Sequence, residues 1–331
     1  MNFNQIVSDF TNKRILVIGD VMIDAYMLGS VNRISPEAPV PIVSLKKEEE
    51  RLGGAANVAI NLVALGAQVT LCSVVGNDKS GLLLLDLLEE HSISDKGVVL
   101  SNKRTTTVKT RVIGNNQHLL RIDAEETDDI TKSEEEILLA KVESILLDDI
   151  DAIIFEDYNK GVLTERVIQD VVKLANEKQI ITTVDPKHKN FYAYKNVTLF
   201  KPNLKELREG VNKQFTFQDF VLFEESIQFL ERQLNNKISF VTLSEHGVFI
   251  KDAKTNHHIP AHIRNIADVS GAGDTVIAVA TLCLTSGLSI KEVAEIANLA
   301  GGLVCEKSGV VSIDKDQLIK EVSLLKDKQV L

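Results

Sequence analysis

Short apolar runs alternate with amphipathic segments along most of the chain. The apolar runs, rich in Val and Ile, lie at residues 14–19, 68–75, 151–155, 180–184 and 239–243. Such runs are typical of strands buried on both faces of a parallel sheet. The segments with helical spacing lie at residues 54–65, 79–91, 132–147, 164–178 and 217–235. This alternation predicts a doubly wound α/β fold, in which helices flank a mostly parallel sheet and ligands bind at the carboxyl ends of its strands.

Two regions interrupt the alternation. Residues 38–45 and 104–123 alternate polar and apolar side chains, with no helical segment inside them. This period of two predicts antiparallel strands that are solvated on one face. Because two separate parts of the chain contribute them, they would form a small second sheet able to act as a lid. We therefore expect one domain over residues 1–331, with a small antiparallel lid.

The charge balance narrows the choice of partner. The 331 residues include 37 basic and 47 acidic ones, a net charge of −10. Nucleic acid and anionic membranes both require a basic surface, so we expect neither as a partner. Cys72, Cys283 and Cys305 lie far apart in apolar stretches, which is typical of reduced thiols in a cytoplasmic protein. Residues 1–14 do not resemble a signal peptide, and no apolar run is long enough to span a membrane.

A glycine-rich segment carries the most chemical information. Residues 268–275 read Asp-Val-Ser-Gly-Ala-Gly-Asp-Thr and precede the apolar segment 276–284. Small residues at Gly271, Ala272 and Gly273 allow a sharp turn into a helix, whose free N–H groups and dipole bind phosphate oxygens. Asp274 in that position suits a base that takes a proton from an attacking hydroxyl. The alternative is a glycine turn in which Asp274 only caps a helix.

Two other segments carry groups suited to a polyhydroxyl ligand. Gly53 and Gly54 directly precede a helical segment and allow close backbone approach, and Asn57 offers both a donor and an acceptor. Asp20 and Asp24 follow the first apolar run, where carboxylates can bind sugar hydroxyls. The structural alternatives are a helix that starts at two glycines, and a turn with a helix cap.

Asn203 and Glu206 have the spacing of a magnesium site. They lie three residues apart, on one face of a predicted helix, after a Lys-Pro pair. Their oxygen atoms could hold the water ligands of Mg²⁺, which keeps much of its hydration. The same spacing is that of a capping box, and both interpretations can be true together.

Further polar groups follow apolar strands. Asp157 and Asp185 each come directly after one, in the segments 157–161 and 185–187, and Ser244 and Gly247 lie in a polar turn suited to a nucleotide. The chain contains neither a G-x-x-x-x-G-K-[ST] loop nor a G-x-G-x-x-G fingerprint. A kinase with this sequence would therefore belong to neither the P-loop nor the protein-kinase type.

The order of these motifs resembles a known family. Gly53-Gly54 with Asn57, then Asn203-x-x-Glu206, then Gly271-Ala-Gly-Asp274, is similar to the ribokinase/PfkB family of carbohydrate kinases from about residue 13 to 325. Within that family the likeness is to kinases of D-glycero-β-D-manno-heptose 7-phosphate. It rests on residues 19–24, 33–41, 157–161 and 185–187, and the segment Arg-Ile-Ser-Pro-Glu-Ala-Pro-Val-Pro at 33–41 is the most specific. Ser270 stands where the family more often has threonine, and it keeps the hydroxyl.

The resemblance implies a ribokinase-like fold and an ATP-dependent reaction. The γ-phosphoryl group of ATP would pass to the anomeric 1-hydroxyl of heptose 7-phosphate, giving the 1,7-bisphosphate used for ADP-heptose and the lipopolysaccharide core. Asp274 would be the base, and the N–H groups of Gly271, Ala272 and Gly273 would hold the charge of the transferring group. Asn203 and Glu206 would hold Mg²⁺ through water.

The resemblance also implies roles for the remaining residues. The nucleotide side would include Ser244, Gly247 and Asn298. The sugar would be bound by Asp20, Asp24, Gly53, Gly54, Asn57, Asp157 and Asp185. The 7-phosphate requires cations, and the candidates are Lys109, Arg111, Arg121 and Lys187. Of these, the arginines suit bidentate phosphate binding best.

The family likeness bears on partners as well. Related lids often pair across a two-fold axis, so a homodimer is expected. Many relatives carry a nucleotidyltransferase domain with an H-x-G-H motif, which this sequence lacks, so a separate nucleotidyltransferase is expected for the later step. Two alternatives remain: another sugar or nucleoside kinase of the family, and a sugar-binding regulator without catalysis. Asp274, Asn203 and Glu206 argue against the regulator.

Overall fold

The structure is a computed structural model that describes residues 3–262 and 264–329. Its strands are β1 (Arg14–Gly19), β2 (Val21–Ile34), β3 (Pro41–Gly54), β4 (Gln68–Gly76), β5 (Ser94–Ser101), β6 (Val108–Gly114), β7 (Gln117–Ala124), β8 (Ala152–Glu156), β9 (Ile181–Asp185), β10 (Leu199–Phe200), β11 (Ile238–Thr242), β12 (Val248–Lys251) and β13 (Asn256–Ile259). Its α-helices are α1 (Phe3–Phe10), α2 (Ala55–Ala64), α3 (Lys79–Glu90), α4 (Lys132–Ile145), α5 (Glu165–Glu177), α6 (Leu204–Val211), α7 (Phe220–Leu234), α8 (Ala272–Thr285), α9 (Ile290–Cys305) and α10 (Lys315–Gln329).

A nine-stranded sheet forms the centre of the fold. Its strand order is β13-β12-β11-β10-β9-β8-β1-β4-β5, and all neighbours from β11 to β5 are parallel. Only β12 and β13 run antiparallel to their neighbours. The five apolar runs correspond to β1, β4, β8, β9 and β11, and the five helical segments to α2, α3, α4, α5 and α7. The predicted α/β architecture is confirmed.

Both faces of this sheet are buried, because alternate residues of each strand enter different cores. Along β1, Ile15 and Val17 pack into the cluster that contains α2, α8 and α9. Leu16 and Ile18 pack into the cluster that contains α4, α5 and α7. This explains why the strands read as continuous apolar runs rather than as alternating ones.

The second sheet has the order β3-β2-β6-β7 and forms the lid. The outer pairs, β2 with β3 and β6 with β7, are antiparallel, whereas β2 and β6 run parallel at the centre. The interpretation of residues 20–24 as a turn with a helix cap is wrong, because β2 extends from Val21 to Ile34. The strand predicted at 38–45 begins at Pro41 and continues to Gly54.

The lid joins the central sheet at one end of the β2–β3 pair. Val21 pairs with Gly54, so the lid begins directly after β1 and returns directly into α2. The lid strands also have two different faces: one carries Asp24, Tyr26 and Arg111, and the other exposes Leu120 and Ile122. Among the residues that the structure describes, no helix is long and apolar enough to cross a bilayer.

Candidate active site

The N-terminus of α8 lies at the junction of the two sheets. Gly271 precedes the helix with φ 79° and ψ 0°, a left-handed conformation that favours glycine. A Cβ atom there would also lie 2.8 Å from Asn57 Nδ2. Gly271 therefore provides both the turn and the space for Asn57, as the sequence predicted for a sharp entry into a helix.

Asp274 is buried in the first turn of α8 and bonds to side chains from two other elements. Asn57 Nδ2 donates to its Oδ2 at 2.7 Å, and the Tyr158 hydroxyl donates to its Oδ1 at 2.9 Å. Burial raises the pKa of Asp274, and the negative charge of Asp185 adds to that effect. In the described part of the chain Asp274 does not cap α8, because its carboxylate accepts hydrogen bonds from Asn57 and Tyr158 instead. It is a buried, oriented carboxylate with raised proton affinity, as a general base requires.

Tyr158 is a residue of the site that the sequence reasoning missed as a functional group. It follows Asp157 directly, within the segment 157–161 that carries part of the family likeness. Burial raises the pKa of its phenol well above the usual value, and the negative charges of Asp274 and Glu156 raise it further. The phenol therefore stays protonated and acts as a fixed donor to the Asp274 carboxylate.

Free backbone donors lie beside Asp274. In the described part of the chain, the N–H groups of Gly271 and Gly273 donate to no protein acceptor, whereas the Ala272 N–H donates to the Val269 carbonyl at 3.3 Å. Gly273 also lies close to a buried ion pair, Lys201 with Asp185, whose Nζ and Oδ2 are 2.7 Å apart. Two of the three predicted N–H donors are thus available at the positive end of the helix dipole.

Three buried carboxylates converge at this point. Glu156, Asp185 and Asp274 each have an oxygen within 4.8 Å of the others. Within the described part of the chain, both oxygens of Glu156 lack a hydrogen-bond partner, and the pKa of Glu156 is raised well above the usual value by burial and by the charges of Asp185 and Asp274. An all-oxygen donor set of this kind suits a hard cation such as Mg²⁺. Glu156 was not predicted, although it is the last residue of an apolar strand, where site residues collect.

Asn203 and Glu206 form a capping box at the start of α6. The Glu206 N–H donates to Asn203 Oδ1 at 2.8 Å, and the Asn203 N–H donates to Glu206 Oε2 at 2.8 Å. The structural interpretation of this motif is therefore correct. Lys187 Nζ lies 2.6 Å from Glu206 Oε1, within the same region as Asp185. The motif is consequently both a helix cap and a neighbour of the carboxylate cluster.

Two of the predicted sugar ligands bond within the protein. Asp20 accepts N–H groups of Tyr158 and Lys160 on one oxygen and of Val162 on the other, at 2.9–3.0 Å. Asp157 accepts the Tyr194 hydroxyl at 2.8 Å, and burial followed by the charge of Asp20 raises its pKa to about 6. These contacts shape the loop that carries Tyr158, and the sugar contacts of both aspartates stay predictions.

The other predicted sugar residues lie where the lid meets the central sheet. Asp24 is buried and forms an ion pair with Arg111. A Cβ atom on Gly53 would lie 2.4 Å from Asp24 Oδ2, and Gly54, at φ 61°, has no room for one beside the Asp20 carbonyl. Both glycines are therefore required by close packing around the two aspartates, next to Asn57.

Three of the four cations predicted for the substrate phosphate are engaged with carboxylates, whereas the fourth, Lys109, is half-buried on β6 and makes no ion pair with the described residues. Arg111 is paired with Asp24. Arg121 is 59% exposed on β7 and lies 2.8 Å from Asp123. Lys187 is held by Glu206, and although burial alone would lower its pKa, Asp185 and Glu206 raise it. The structure therefore does not bring these three together at one free position.

Two of the three predicted nucleotide residues, Gly247 and Asn298, contact one loop. Ser244 and Asn203 line a common surface cleft. Gly247, at φ 84°, packs so closely on residues 259–261 that a Cβ atom would lie 2.0 Å from the Ile259 carbonyl. Asn298 on α9 donates to the Pro260 carbonyl at 2.9 Å, so it contacts the same loop.

Comparison with known proteins agrees with this geometry. The chain is 41% identical over 314 residues to the bifunctional protein HldE of Sulfurimonas denitrificans, and 39% identical over 311 residues to that of Aliarcobacter butzleri. These alignments cover 95% and 94% of this chain, but only 65% and 64% of the relatives. The chain thus spans less than two thirds of the length of these relatives.

Solved structures share the fold at lower identity. Phosphofructokinase-2 from Escherichia coli, in complex with potassium, superposes with a TM-score of 0.78 at 20% identity, covering 95% of this chain and 99% of that one. Ribokinase from Arabidopsis thaliana, complexed with ribose and ATP, gives a TM-score of 0.71 at 16% identity, covering 93% and 99%. The family described as pfkB family carbohydrate kinase matches residues 12–317. The chain therefore belongs to the pfkB family of carbohydrate kinases, enzymes that use ATP.

Proposed function

We propose that this protein phosphorylates the anomeric 1-hydroxyl of D-glycero-β-D-manno-heptose 7-phosphate, giving the 1,7-bisphosphate on the route to ADP-heptose and the lipopolysaccharide core. The observation that carries the proposal is the buried Asp274 carboxylate, held by Asn57 and Tyr158 at the free N-terminus of α8. The heptose assignment is supported by the likeness of residues 33–41 and 157–161 and by the similarity to HldE proteins.

In the proposed reaction Asp274 takes the proton of the sugar hydroxyl while the hydroxyl oxygen attacks the γ-phosphorus of ATP and ADP leaves. Its raised pKa makes the carboxylate a stronger base than an exposed aspartate. The Gly271 and Gly273 N–H groups are placed to stabilise charge on the transferring phosphoryl oxygens.

Mg²⁺ fits the oxygen-rich surroundings of this site, and Asn203 and Glu206 would hold it through water. When bound, the ion neutralises charge on the ATP phosphates. The unpaired oxygens of Glu156 support a cation in this region, since a buried carboxylate without a partner is costly. Lys187 and Lys201 form ion pairs with the neighbouring carboxylates Glu206 and Asp185 and so orient them.

The substrates would occupy opposite sides of α8. On the sugar side, Asp24, Gly53, Gly54 and Asn57 lie where the lid meets α2, beside the base. On the nucleotide side, Gly247 and Asn298 contact the loop at residues 259–261, and Ser244 lines a cleft together with Asn203. The γ-phosphate would then reach the helix N-terminus between the two.

A homodimer is part of the proposal. The outer face of the lid exposes Leu120, Ile122 and Leu45 by 58%, 51% and 50%. Large apolar side chains exposed on both edge strands of one sheet, β3 and β7, are unusual on a monomer and are explained by a second lid packed against them.

The test is a kinase assay with heptose 7-phosphate, fructose 6-phosphate, ribose and adenosine compared at equal concentration. We expect ADP release to be fastest with heptose 7-phosphate, by at least an order of magnitude in kcat/KM. Preference for one of the other acceptors would indicate a different kinase of the family. If none of the four acceptors supports ATP turnover, the result would favour a sugar-binding regulator without catalysis.

A further inference from the structure

Residues 308–311 form a turn between α9 and α10 that contacts the start of α8. The side chain of Val310 packs against Gly271, because a Cβ atom on that glycine would lie 3.3 Å from Val310 Cγ1. In the described part of the chain the Gly271 N–H donates to no protein acceptor, and it is one of the two free donors beside Asp274. A displacement of Val310 would therefore loosen the packing around a donor meant for the transferring phosphoryl group.

Asp268 ties the same turn to the segment that precedes α8. Its Oδ2 accepts the Gly309 N–H at 3.0 Å, and its Oδ1 accepts the Ser270 N–H at 2.9 Å. One carboxylate thus bridges the 308–311 turn and the residue directly before Gly271. The position of Gly271 consequently depends on the 308–311 turn through hydrogen bonds as well as through packing.

Two residues of the lid hold the backbone of this turn. Arg51 on β3 donates from Nη1 to the Val310 carbonyl at 3.1 Å, and its Cζ lies 4.9 Å from the centroid of the Tyr26 ring on β2. Burial raises the pKa of Tyr26, whereas the charge of Arg111 and a backbone hydrogen bond from Val310 lower it. Both lid residues therefore engage the backbone of Val310.

The lid and the turn fit so closely that only glycine is accommodated at position 309. Gly309 has φ 75°, a conformation that favours glycine. A Cβ atom there would lie 2.9 Å from Arg51 Nη1 and 3.7 Å from the Tyr26 hydroxyl. The close approach shows that the turn packs directly on these two lid side chains.

The same lid residues also border the proposed sugar site. Arg111, the ion-pair partner of Asp24, contacts the ring of Tyr26, with its Cζ 5.2 Å from the ring centroid. Contacts thus run without interruption from Asp24 through Arg111 and Tyr26 to Val310, and from there to Gly271.

We propose that Tyr26 and Arg51 are positioning residues for phosphoryl transfer: they hold the Val310 backbone, which keeps Gly271 and its free N–H group in place. The inference rests on the role of Gly271 in the proposed function, but it does not depend on heptose as the sugar. Neither residue has to touch a substrate. A displacement of about 1 Å in a catalytic group can cost up to about a hundredfold in rate, so an indirect contact of this kind can affect kcat.

The experiment measures kcat and KM for Tyr26→Phe, Arg51→Met and Val310→Ala with ATP and heptose 7-phosphate. These substitutions remove, in turn, the hydroxyl beside the Val310 backbone, the donor to its carbonyl, and the packing on Gly271. We expect each to lower kcat by about three- to thirtyfold, since each removes one contact in the chain that leads to Gly271. The KM for the sugar should stay within about twofold of wild type, because no proposed sugar contact is removed.

Two further variants show whether the effect passes through Val310. Arg51→Lys should recover most of the kcat lost in Arg51→Met, because the contact to the carbonyl uses a single N–H group. Tyr26→Phe combined with Arg51→Met should lose less than the product of the two single losses, since both contacts hold the same backbone. Lys47→Gln is the matched control and should behave as wild type, because Lys47 shares the ion-pair partner Glu49 with Arg51 but is 66% exposed.

The outcomes separate this inference from the proposed function. Unchanged kcat in Tyr26→Phe and Arg51→Met would overturn the inference and leave the function intact. A loss confined to the KM for the sugar would also overturn it, because the two residues would then be sugar ligands. An equal loss in Lys47→Gln would trace the effect to Glu49 and have the same consequence. If wild type prefers another acceptor, the heptose assignment fails, and the same variants should lose kcat with that acceptor. If wild type phosphorylates no acceptor, both proposals are wrong.

Discussion

The two sheets that meet at the site differ in how fully their side chains are satisfied. At the carboxyl end of the central sheet, Asp274 is buried and hydrogen-bonded on both oxygens, and Lys201 is buried against Asp185. On the lid, Lys109 makes no ion pair within the described residues, although the charges of Glu125, Asp123 and Asp24 raise its pKa against the effect of burial, and Leu120 and Ile122 are exposed. The side chains at the end of the central sheet are thus already paired, whereas the lid exposes side chains that a ligand or a partner could cover. In the proposed function, the central sheet carries out phosphoryl transfer and the lid contributes to the choice of substrate.

The substitution Asp274→Asn is the strongest test of the reaction centre at the end of the central sheet. Asparagine keeps the size of the side chain but cannot accept the proton, so we expect a loss of about 10²–10⁴ in kcat. ATP binding, measured by calorimetry, should be unchanged because the helix N-terminus is intact. A variant that keeps more than about a tenth of the wild-type rate would show that Asp274 is not the base.

Tyr158→Phe tests the contact that orients the base. Phenylalanine keeps the ring beside Lys109 and removes only the hydroxyl, so we expect a loss of about ten- to thirtyfold in kcat with little change in KM. The Tyr158 hydrogen bond lowers the pKa of Asp274, so its removal should raise that pKa. The acidic limb of the pH–rate profile should therefore move to higher pH. An unchanged profile would mean that Tyr158 does not contact the base in the active enzyme.

Glu206→Gln should mainly affect the metal. We expect a several-fold higher Mg²⁺ requirement and an unchanged KM for the sugar, since Glu206 lies on the side of Lys187 and Asn203. The capping box of α6 is a second role that the substitution could weaken. Glu292→Gln perturbs an equivalent capping box at α9, away from the site, and serves as its control. A loss of sugar affinity with unchanged Mg²⁺ dependence would place Glu206 elsewhere.

The exposed face of the lid predicts self-association. Ile122→Glu should convert the dimer to a monomer at micromolar concentration in sedimentation velocity, because a charge would be buried between two lids. Leu147, 81% exposed at the end of α4, supplies the control Leu147→Glu, which should remain dimeric. If the wild-type protein sediments as a monomer both with and without substrate, the proposed homodimer is wrong.

The smallest expected effect concerns Glu156, whose pKa is raised well above its usual value in the folded state. Without a bound cation, a carboxyl with a raised pKa keeps its proton to higher pH in the folded protein than in the unfolded one, where it ionises at about pH 4.3, so its contribution to stability is lost as pH rises above that value. Glu156→Gln removes this dependence. The free energy of unfolding of the metal-free variant should therefore rise relative to wild type as pH rises from about 5.

Urea titrations of both proteins measure that difference. Glu143→Gln, an exposed position on α4, is the control and should show no pH-dependent difference. A constant difference between Glu156→Gln and wild type across this range would show that Glu156 is ionised in the folded protein.

The sequence predicted the central sheet well because burial on both faces leaves continuous apolar runs. It did not predict β2, because Val21–Asp24 are buried on both faces whereas the strand's far end is exposed, so no single periodicity runs through it. Asp274 and Asn57 were predicted from glycine-rich motifs, yet their contact joins positions 217 residues apart. Tyr158 and Glu156 belong to no glycine-rich motif, and only the folded chain brings Tyr158 into contact with Asp274 and Glu156 next to Asp185 and Asp274.

Phosphorus NMR of the product formed from ATP and heptose 7-phosphate tests the proposed reaction most directly. We expect a second phosphate resonance, coupled to the anomeric proton, while the 7-phosphate resonance is retained. We also expect Asp274→Asn to form this product at least about a hundredfold more slowly. A phosphate on another carbon, or wild-type ADP formation without a phosphorylated sugar, would contradict the proposed reaction.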